Sequence, residues 1–145
     1  MNNSTRFFSA SLAVAFALSG CAMMPSGMSA STSNKMAASQ EVPANASAGS
    51  GTVATTLDKA SRKLTWTVTY SGLTGPVSAG HFHGPAATGA NAGVVLPFGG
   101  TASPITGSAV LTEAQMADLV AGKWYANLHT AAHPGGEIRG QVTGY

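Results

Sequence analysis

Residues 64–70 alternate strictly between two kinds of side chain. Large apolar or aromatic residues occupy every second position, and threonines occupy the positions between them. A side-chain period of two residues is that of a β-strand with one face in a core. Threonine, valine and aromatic residues also favour strands. The segment therefore predicts a half-buried strand, which must pair with other strands of the chain.

Other short strand-like segments follow, separated by turns. The predicted strands span residues 52–57, 64–70, 77–83, 93–98, 105–111, 124–129 and 138–142. The turns have suitable residues, since the chain contains 18 Gly and 7 Pro. One helix is predicted over residues 112–121, because Thr112 can cap it and Gln115 completes a capping box. The pattern predicts an all-β, antiparallel fold, sandwich-like or barrel-like, with one short helix.

The composition excludes several classes of function. Only 8% of residues are charged and 44% are hydrophobic, which is typical of a packed domain. The formal charge of +2 falls to about +1 without Arg6 of the leader, too little for electrostatic binding of nucleic acid. The sequence has no G-x-S-x-G nucleophile elbow, no Gly-rich phosphate loop and no carboxylate pair suited to glycoside hydrolysis.

Residues 1–20 have the pattern of a secretory signal peptide. Arg6 precedes an apolar stretch over residues 7–18 that is too short to span a membrane. The end of this stretch, LSGC at residues 18–21, resembles the lipobox of bacterial lipoproteins. We expect Cys21 to be lipidated and to anchor a periplasm-facing protein in the cell envelope. The alternative is an ordinary cleaved signal with an incidental cysteine.

Two consequences follow from the lipobox and its cysteine. Cys21 is the only cysteine, so no disulfide forms within the chain and no thiolate binds a metal. The residue after Cys21 is Ala22 rather than Asp, and in this the chain resembles lipoproteins that are sorted to the outer membrane.

Residues 21–39 are predicted to be a flexible tether, because they are rich in Ser, Ala, Asn and Met and lack periodicity. Four methionines lie there: Met23, Met24, Met28 and Met36. They are either filler or thioether ligands for Cu(I). The folded β domain is predicted to span residues 40–145.

All four histidines fall in two close pairs. His81 and His83 are two residues apart on a predicted strand, so both imidazoles point to one face and Phe82 points to the other. His129 and His133 lie where a strand runs into a loop that can fold one toward the other. Neutral imidazole is the commonest protein ligand for zinc and copper, so His81, His83, His129 and His133 are predicted metal ligands.

The predicted donor atoms limit which metal ions the site can bind. Four imidazoles without thiolate suit tetrahedral zinc or tetragonal Cu(II). The five acidic residues, which lie outside both pairs, are Glu41, Asp58, Glu113, Asp118 and Glu137. A carboxylate site for Ca²⁺ or Mg²⁺ is therefore not expected. The alternative is that the histidines are ordinary polar or structural residues.

Arg139 is the other residue of interest, and it shares a predicted strand face with Glu137. Either the two residues form a structural pair, or Arg139 guides a small anion toward a nearby metal. In the second case Arg139 and Glu137 would contact the metal ligands, or attract the anion, without binding the metal ion themselves.

Five segments together resemble the CHRD domain, a family named from repeats in chordin and also found alone in bacterial exported proteins. They are residues 40–43 (QEVP), 66–73, 81–86 (HFHGPA), 127–130 (NLHT) and 134–141 (PGGEIRGQ). The resemblance spans about residues 40–145. Two departures are visible, since Phe82 replaces the more familiar Ile and Ala44 stands where a second Pro is common.

The resemblance implies an all-β, sandwich-like domain that binds a metal, with copper expected and zinc the other candidate. The implied function is copper sequestration or delivery, or simple copper redox chemistry such as superoxide dismutation. The chordin repeats imply an alternative, a metal-free interaction or envelope-structural module. We expect the partners to be a metal ion and, through the lipid on Cys21, a membrane.

Overall fold

Residues 29–145, which the computed structural model describes, form eight β-strands and one α-helix. The elements are β1 (Ser29–Ala37), β2 (Ser50–Asp58), β3 (Lys63–Ser71), β4 (Val77–His83), β5 (Val94–Pro97), β6 (Ile105–Val110), α1 (Glu113–Val120), β7 (Trp124–Thr130) and β8 (Ile138–Val142). A single 3₁₀ turn, Ala38–Gln40, follows β1. The all-β prediction is confirmed, and the seven predicted strands match β2–β8 within two residues at each end.

The eight strands form one sheet in the order β5-β4-β7-β8-β1-β2-β3-β6, and all neighbours are antiparallel. This sheet curls strongly. Trp66 on β3 and Phe82 on β4 have four strands between them in the sheet, yet their ring centroids are 5.4 Å apart in an edge-to-face arrangement. The two walls of the core therefore belong to a single sheet that closes over its own apolar face.

Aromatic side chains fill the centre of this curl. Phe82 is completely buried, and its ring lies 4.9 Å from Phe98, 5.4 Å from Trp66 and 5.8 Å from Trp124 between centroids. Gly107 on β6 lies directly under the indole of Trp66, where any side chain would collide with the ring. The alternation of residues 64–70 thus has the predicted role, because its large side chains face the core.

The strand β1 was not predicted, and the tether prediction is wrong for residues 29–39. β1 pairs with β2 along its whole length and with β8 near Ala37. Its burial alternates with the strand period, but the half-buried positions hold small or polar residues such as Thr32, which bonds to Thr55 at 2.9 Å. Only Met36 gives an apolar signal, and it is 1% exposed in the core. Backbone pairing with two neighbours forms this strand despite its weak apolar pattern.

Helix α1 confirms the predicted capping box. Thr112 accepts a hydrogen bond from the amide of Gln115, and the Gln115 side chain accepts one from the amide of Thr112. Leu119 anchors the helix in the core. Within residues 29–145, no helix is long and apolar enough to cross a membrane. The predicted signal peptide, Cys21 and the methionines at 23, 24 and 28 lie outside the described residues.

We expect Phe82→Ala to destabilise the protein by about 3–5 kcal/mol, because it opens a cavity among three aromatic rings. Urea unfolding at neutral pH measures the change in free energy. Val110→Ala is the matched control, since Val110 is 67% exposed at the sheet edge and its truncation should change stability by less than about 0.5 kcal/mol. Equal effects of the two substitutions would contradict the packing described above.

Candidate metal centre

The strands β4, β7 and β8 are buried on both faces. Their core face is apolar, while their other face carries polar side chains under two covering segments, residues 38–49 and 84–93. The segments are tied together because Asn91 donates from Nδ2 to the carbonyl of Val42 at 2.9 Å. Asn127 and Arg139 are consequently buried on this face. The fold thus has a second, polar interior outside the aromatic core.

Three histidines converge at the edge of this polar interior. His81 and His83 project from the same face of β4 and Phe82 from the other, as their spacing predicts. His129 comes from the neighbouring strand β7. One ring nitrogen of each residue lies within 4.8 Å of the others, and His81 Nδ1 is 3.3 Å from His129 Nε2. The sheet therefore brings together both halves of the predicted site.

The hydrogen bonds of two histidines fix their tautomers. His83 Nδ1 lies 2.9 Å from the carbonyl of Ala92, and His129 Nδ1 lies 2.9 Å from the carbonyl of Pro134. A carbonyl only accepts, so in both neutral rings Nδ1 carries the proton and Nε2 is left with a lone pair. Metal-binding histidines commonly donate their second N–H to a backbone carbonyl in this way.

Whether a metal ion fits between the three histidines depends on the state of their converging ring nitrogens. His83 Nε2 is buried and makes no hydrogen bond of good geometry, although the Asn127 side chain is close enough to act on the pKa of His83. Buried polar atoms are nearly always paired. His129 Nε2 contacts only another imidazole, His81. Burial lowers the pKa of both His81 and His83, and the nearby imidazoles lower that of His81 further. A metal ion requires unprotonated ring nitrogens, so the lowered pKa of His81 and His83 and the convergence of the three ring nitrogens fit such an ion.

His133, the fourth predicted ligand, is not part of the group whose nitrogens converge. Its backbone exchanges hydrogen bonds with that of Thr130, which turns the chain after β7. The His133 ring lies along a separate cavity of about 260 Å³, together with Glu41 and Pro134. The structure therefore brings together three of the four predicted histidines.

Arg139 lies deep in the polar interior, at 1% exposure. Its guanidinium donates to Asn91 Oδ1 at 2.9 Å and to the carbonyl of Ala90 at 2.7 Å. The guanidinium carbon lies 3.4 Å from the centre of the Tyr125 ring, and the other neighbour of that ring is His83, stacked at 4.9 Å with an interplanar angle of 3°. Arg139 is thus connected to His83 through the Tyr125 ring and is held in place by neutral acceptors.

Glu137, its predicted partner, does not contact Arg139 within salt-bridge distance. The Glu137 carboxylate is fully buried and accepts hydrogen bonds from Ser47 Oγ, Thr130 Oγ1 and both the amide and hydroxyl of Thr74, at 2.5–2.8 Å. Burial alone would raise its pKa, but these hydrogen bonds lower the pKa of Glu137 to about 2. Glu137 therefore fastens the covering segment and the β3–β4 loop to the sheet.

Glu41 is a buried acid that the sequence did not indicate as a site residue. It is 7% exposed, and its Oε1 has no hydrogen-bond partner. Burial raises the pKa of Glu41 to about 7, although the charge of Arg139 and a hydrogen bond from Asn127 both act to lower it. Gly136, at φ +131°, leaves room for this carboxyl, since a side chain there would collide with Glu41 and Asn127. An isolated Glu before Val-Pro carries no periodic signal, so only the resemblance pointed to this segment.

The two buried acids should affect the pH dependence of stability with opposite signs. Glu137 has a folded pKa below the unfolded value of 4.5, so its contribution of about 3 kcal/mol is present above pH 4.5 and is lost toward pH 2. Glu41 has a folded pKa above 4.5, so its contribution is present below that pH and is lost as pH rises through about 7. We expect Glu137→Gln to destabilise the protein at neutral pH, and Glu41→Gln to stabilise it relative to wild type above pH 7.

Urea unfolding of both variants from pH 4 to pH 9 measures these differences. Glu113→Gln is the control, because the Glu113 side chain is 87% exposed on α1 and its replacement should leave the pH profile unchanged. A Glu41→Gln variant that is less stable than wild type at pH 8 would contradict the burial effect.

Comparison with known proteins places this geometry in a family. No curated protein and no solved structure gives a match to the chain. The family model described as the CHRD domain matches residues 32–142. This range contains most of β1, all the later elements and the four histidines. The match confirms the resemblance and covers most of the sequence, and the chain therefore belongs to the CHRD domain family.

Proposed function

We propose that this protein is an exported, lipid-anchored metal-binding protein that binds copper through His81, His83 and His129. The observation that carries the proposal is the convergence of three ring nitrogens within 4.8 Å, with the buried His83 Nε2 making no hydrogen bond of good geometry. Ordinary structural histidines would be expected to pair these atoms with protein donors. Two of the rings also donate to backbone carbonyls, an arrangement suited to metal ligands.

The donor set supports copper first and zinc second. All three donors are neutral imidazoles, and no cysteine or acidic residue belongs to the group. Affinity of nitrogen ligands for divalent first-row metals peaks at Cu(II), whereas Ca²⁺ and Mg²⁺ require oxygen ligands. When bound, copper would supply reversible one-electron chemistry, and the chain itself would hold the ion and restrict its access to water.

The surroundings of Arg139 favour sequestration or delivery of copper over superoxide dismutation. An arginine that guides an anion must present free N–H groups to solvent. Arg139 is 1% exposed, and it already donates to Asn91 and Ala90. The half-buried His81 and His129 form the accessible side of the centre, through which an ion could enter or leave.

We expect His129→Ala to weaken copper binding by at least about 100-fold, because it removes one of three ligands, whereas loss of a supporting group alone typically costs 10–100-fold. His133→Ala is the matched control and should change the dissociation constant by less than about threefold, since its ring lies outside the converging group. Titration of metal-stripped protein with Cu(II) and Zn(II), followed by metal analysis and electron paramagnetic resonance, measures binding and nitrogen ligation.

Two results would change the interpretation. Equal losses of copper affinity in the His129→Ala and His133→Ala variants would indicate a site formed by all four histidines. Binding of copper no tighter than by a variant lacking His81, His83 and His129 would reject the metal site, and would leave a metal-free interaction module as the function to pursue.

Residues 18–21 support the proposed anchor and the periplasm-facing, outer-membrane location. We expect Cys21→Ser to abolish incorporation of labelled fatty acid and to move the protein out of the membrane fraction, because only a thiol forms the lipid thioether. Copper binding should be unchanged, since Cys21 is not among the histidines proposed to bind the ion. Labelling that persists in Cys21→Ser would reject the lipobox interpretation.

A further inference from the structure

The buried guanidinium of Arg139 carries a positive charge that no acid balances by direct contact. Both of its hydrogen-bond acceptors, Asn91 Oδ1 and the carbonyl of Ala90, are neutral. Within residues 29–145, no carboxylate oxygen lies within 4.0 Å of this group. Buried charges are normally paired, because their transfer from water is costly. An unpaired buried cation beside a candidate site therefore needs an explanation.

Tyr125 connects this charge to the metal centre. The guanidinium lies 3.4 Å above one face of the Tyr125 ring, and the His83 ring stacks 4.9 Å from the ring centre. All three side chains are buried, so little water screens the field of Arg139 at His83.

Other charged groups facing Arg139 compensate for it only in part. Glu41 is the nearest acid that acts on Arg139, and its carboxyl is partly protonated near neutral pH. Glu137 is ionised, is held by the hydroxyls of Ser47, Thr74 and Thr130, and makes no salt bridge with Arg139. The three proposed ligands add no negative charge. Arg139 is the charged group that lies on the Tyr125 ring against which His83 stacks, so its field acts on the centre through that contact.

We propose that Arg139 shifts the affinity of the centre toward monovalent copper relative to divalent copper. The proposal rests on the proposed copper site. A fixed positive charge repels Cu(II) about twice as strongly as Cu(I), because the electrostatic energy is proportional to the charge of the ion. Neutral ligands do nothing to offset this difference, whereas a carboxylate or thiolate ligand would.

Two substitutions remove or neutralise the charge of Arg139 by different means. Arg139→Met deletes the cation but also alters the packing of the polar interior. Asn91→Asp keeps Arg139 in place and sets a carboxylate where Oδ1 now accepts from the guanidinium, on an exposed residue. Asn91→Ala is the matched control, because it loses the same side-chain hydrogen bonds to Arg139 and Val42 without adding a charge.

The experiment measures the dissociation constants of Cu(I) and Cu(II) separately, by competition with chromophoric chelators, for the full-length protein and its variants. We expect Asn91→Asp and Arg139→Met to lower the ratio of Cu(I) to Cu(II) affinity by about tenfold or more, which corresponds to a reduction potential lower by about 59 mV for one electron. Asn91→Ala should keep the wild-type ratio within about threefold.

The outcomes separate the two proposals. Failure of the wild-type protein to bind copper in either state would reject the copper site itself. Tight copper binding with an unchanged affinity ratio in both charge-removing variants would reject the role of Arg139 and leave the site intact. A parallel loss of Cu(I) and Cu(II) affinity would also reject it, because that pattern marks a purely structural residue.

Discussion

The packing of Phe82 in the aromatic core determines the position of the histidines beside it. Its ring is enclosed by Trp66, Phe98 and Trp124, so β4 cannot rotate or shift by one residue without exposing it. Strand geometry then turns His81 and His83 to the opposite face, where antiparallel pairing with β7 supplies His129. The apolar core thus positions a polar site that it does not contact, and rigid strands rather than loops hold all three rings.

The polar interior on that opposite face is unusual in its energetics. It buries Glu41, Glu137 and Arg139, each of which loses its hydration. Hydrogen bonds to the Glu137 carboxylate offset this cost and hold its pKa low, at about 2. The cost is not offset for Glu41, and burial raises the pKa of Glu41 to about 7. A domain selected for stability alone would be expected to avoid a poorly paired acid and an unpaired cation in one layer. Their concentration behind the histidines is consistent with a functional requirement there.

Much of this architecture could be predicted from the sequence, because residues 64–70 and the pair His81 and His83 obey the strand period. The weak points have physical causes. Strand β1 alternates in burial but not in hydrophobicity, so its backbone pairing has no signature in its side chains. His133 follows a reciprocal backbone turn with Thr130, and residue spacing in a loop does not fix where a side chain points. Asn127 and Glu41 come from distant segments, and only the folded chain brings them together.

The three proposed ligands differ in how far they are prepared for a metal. Carbonyls of Ala92 and Pro134 favour the tautomer of His83 and His129 in which Nε2 carries no proton, so neither ring needs to reorganise its outer hydrogen bond. His81 is the adjustable member, because its Nδ1 donates to His129 Nε2. An incoming ion would replace that one hydrogen bond, and a neutral imidazole can move its proton to the other nitrogen without changing charge. In the proposed site, two ligands with fixed outer hydrogen bonds and a third freed by breaking one hydrogen bond would allow an ion both to be held and to be released.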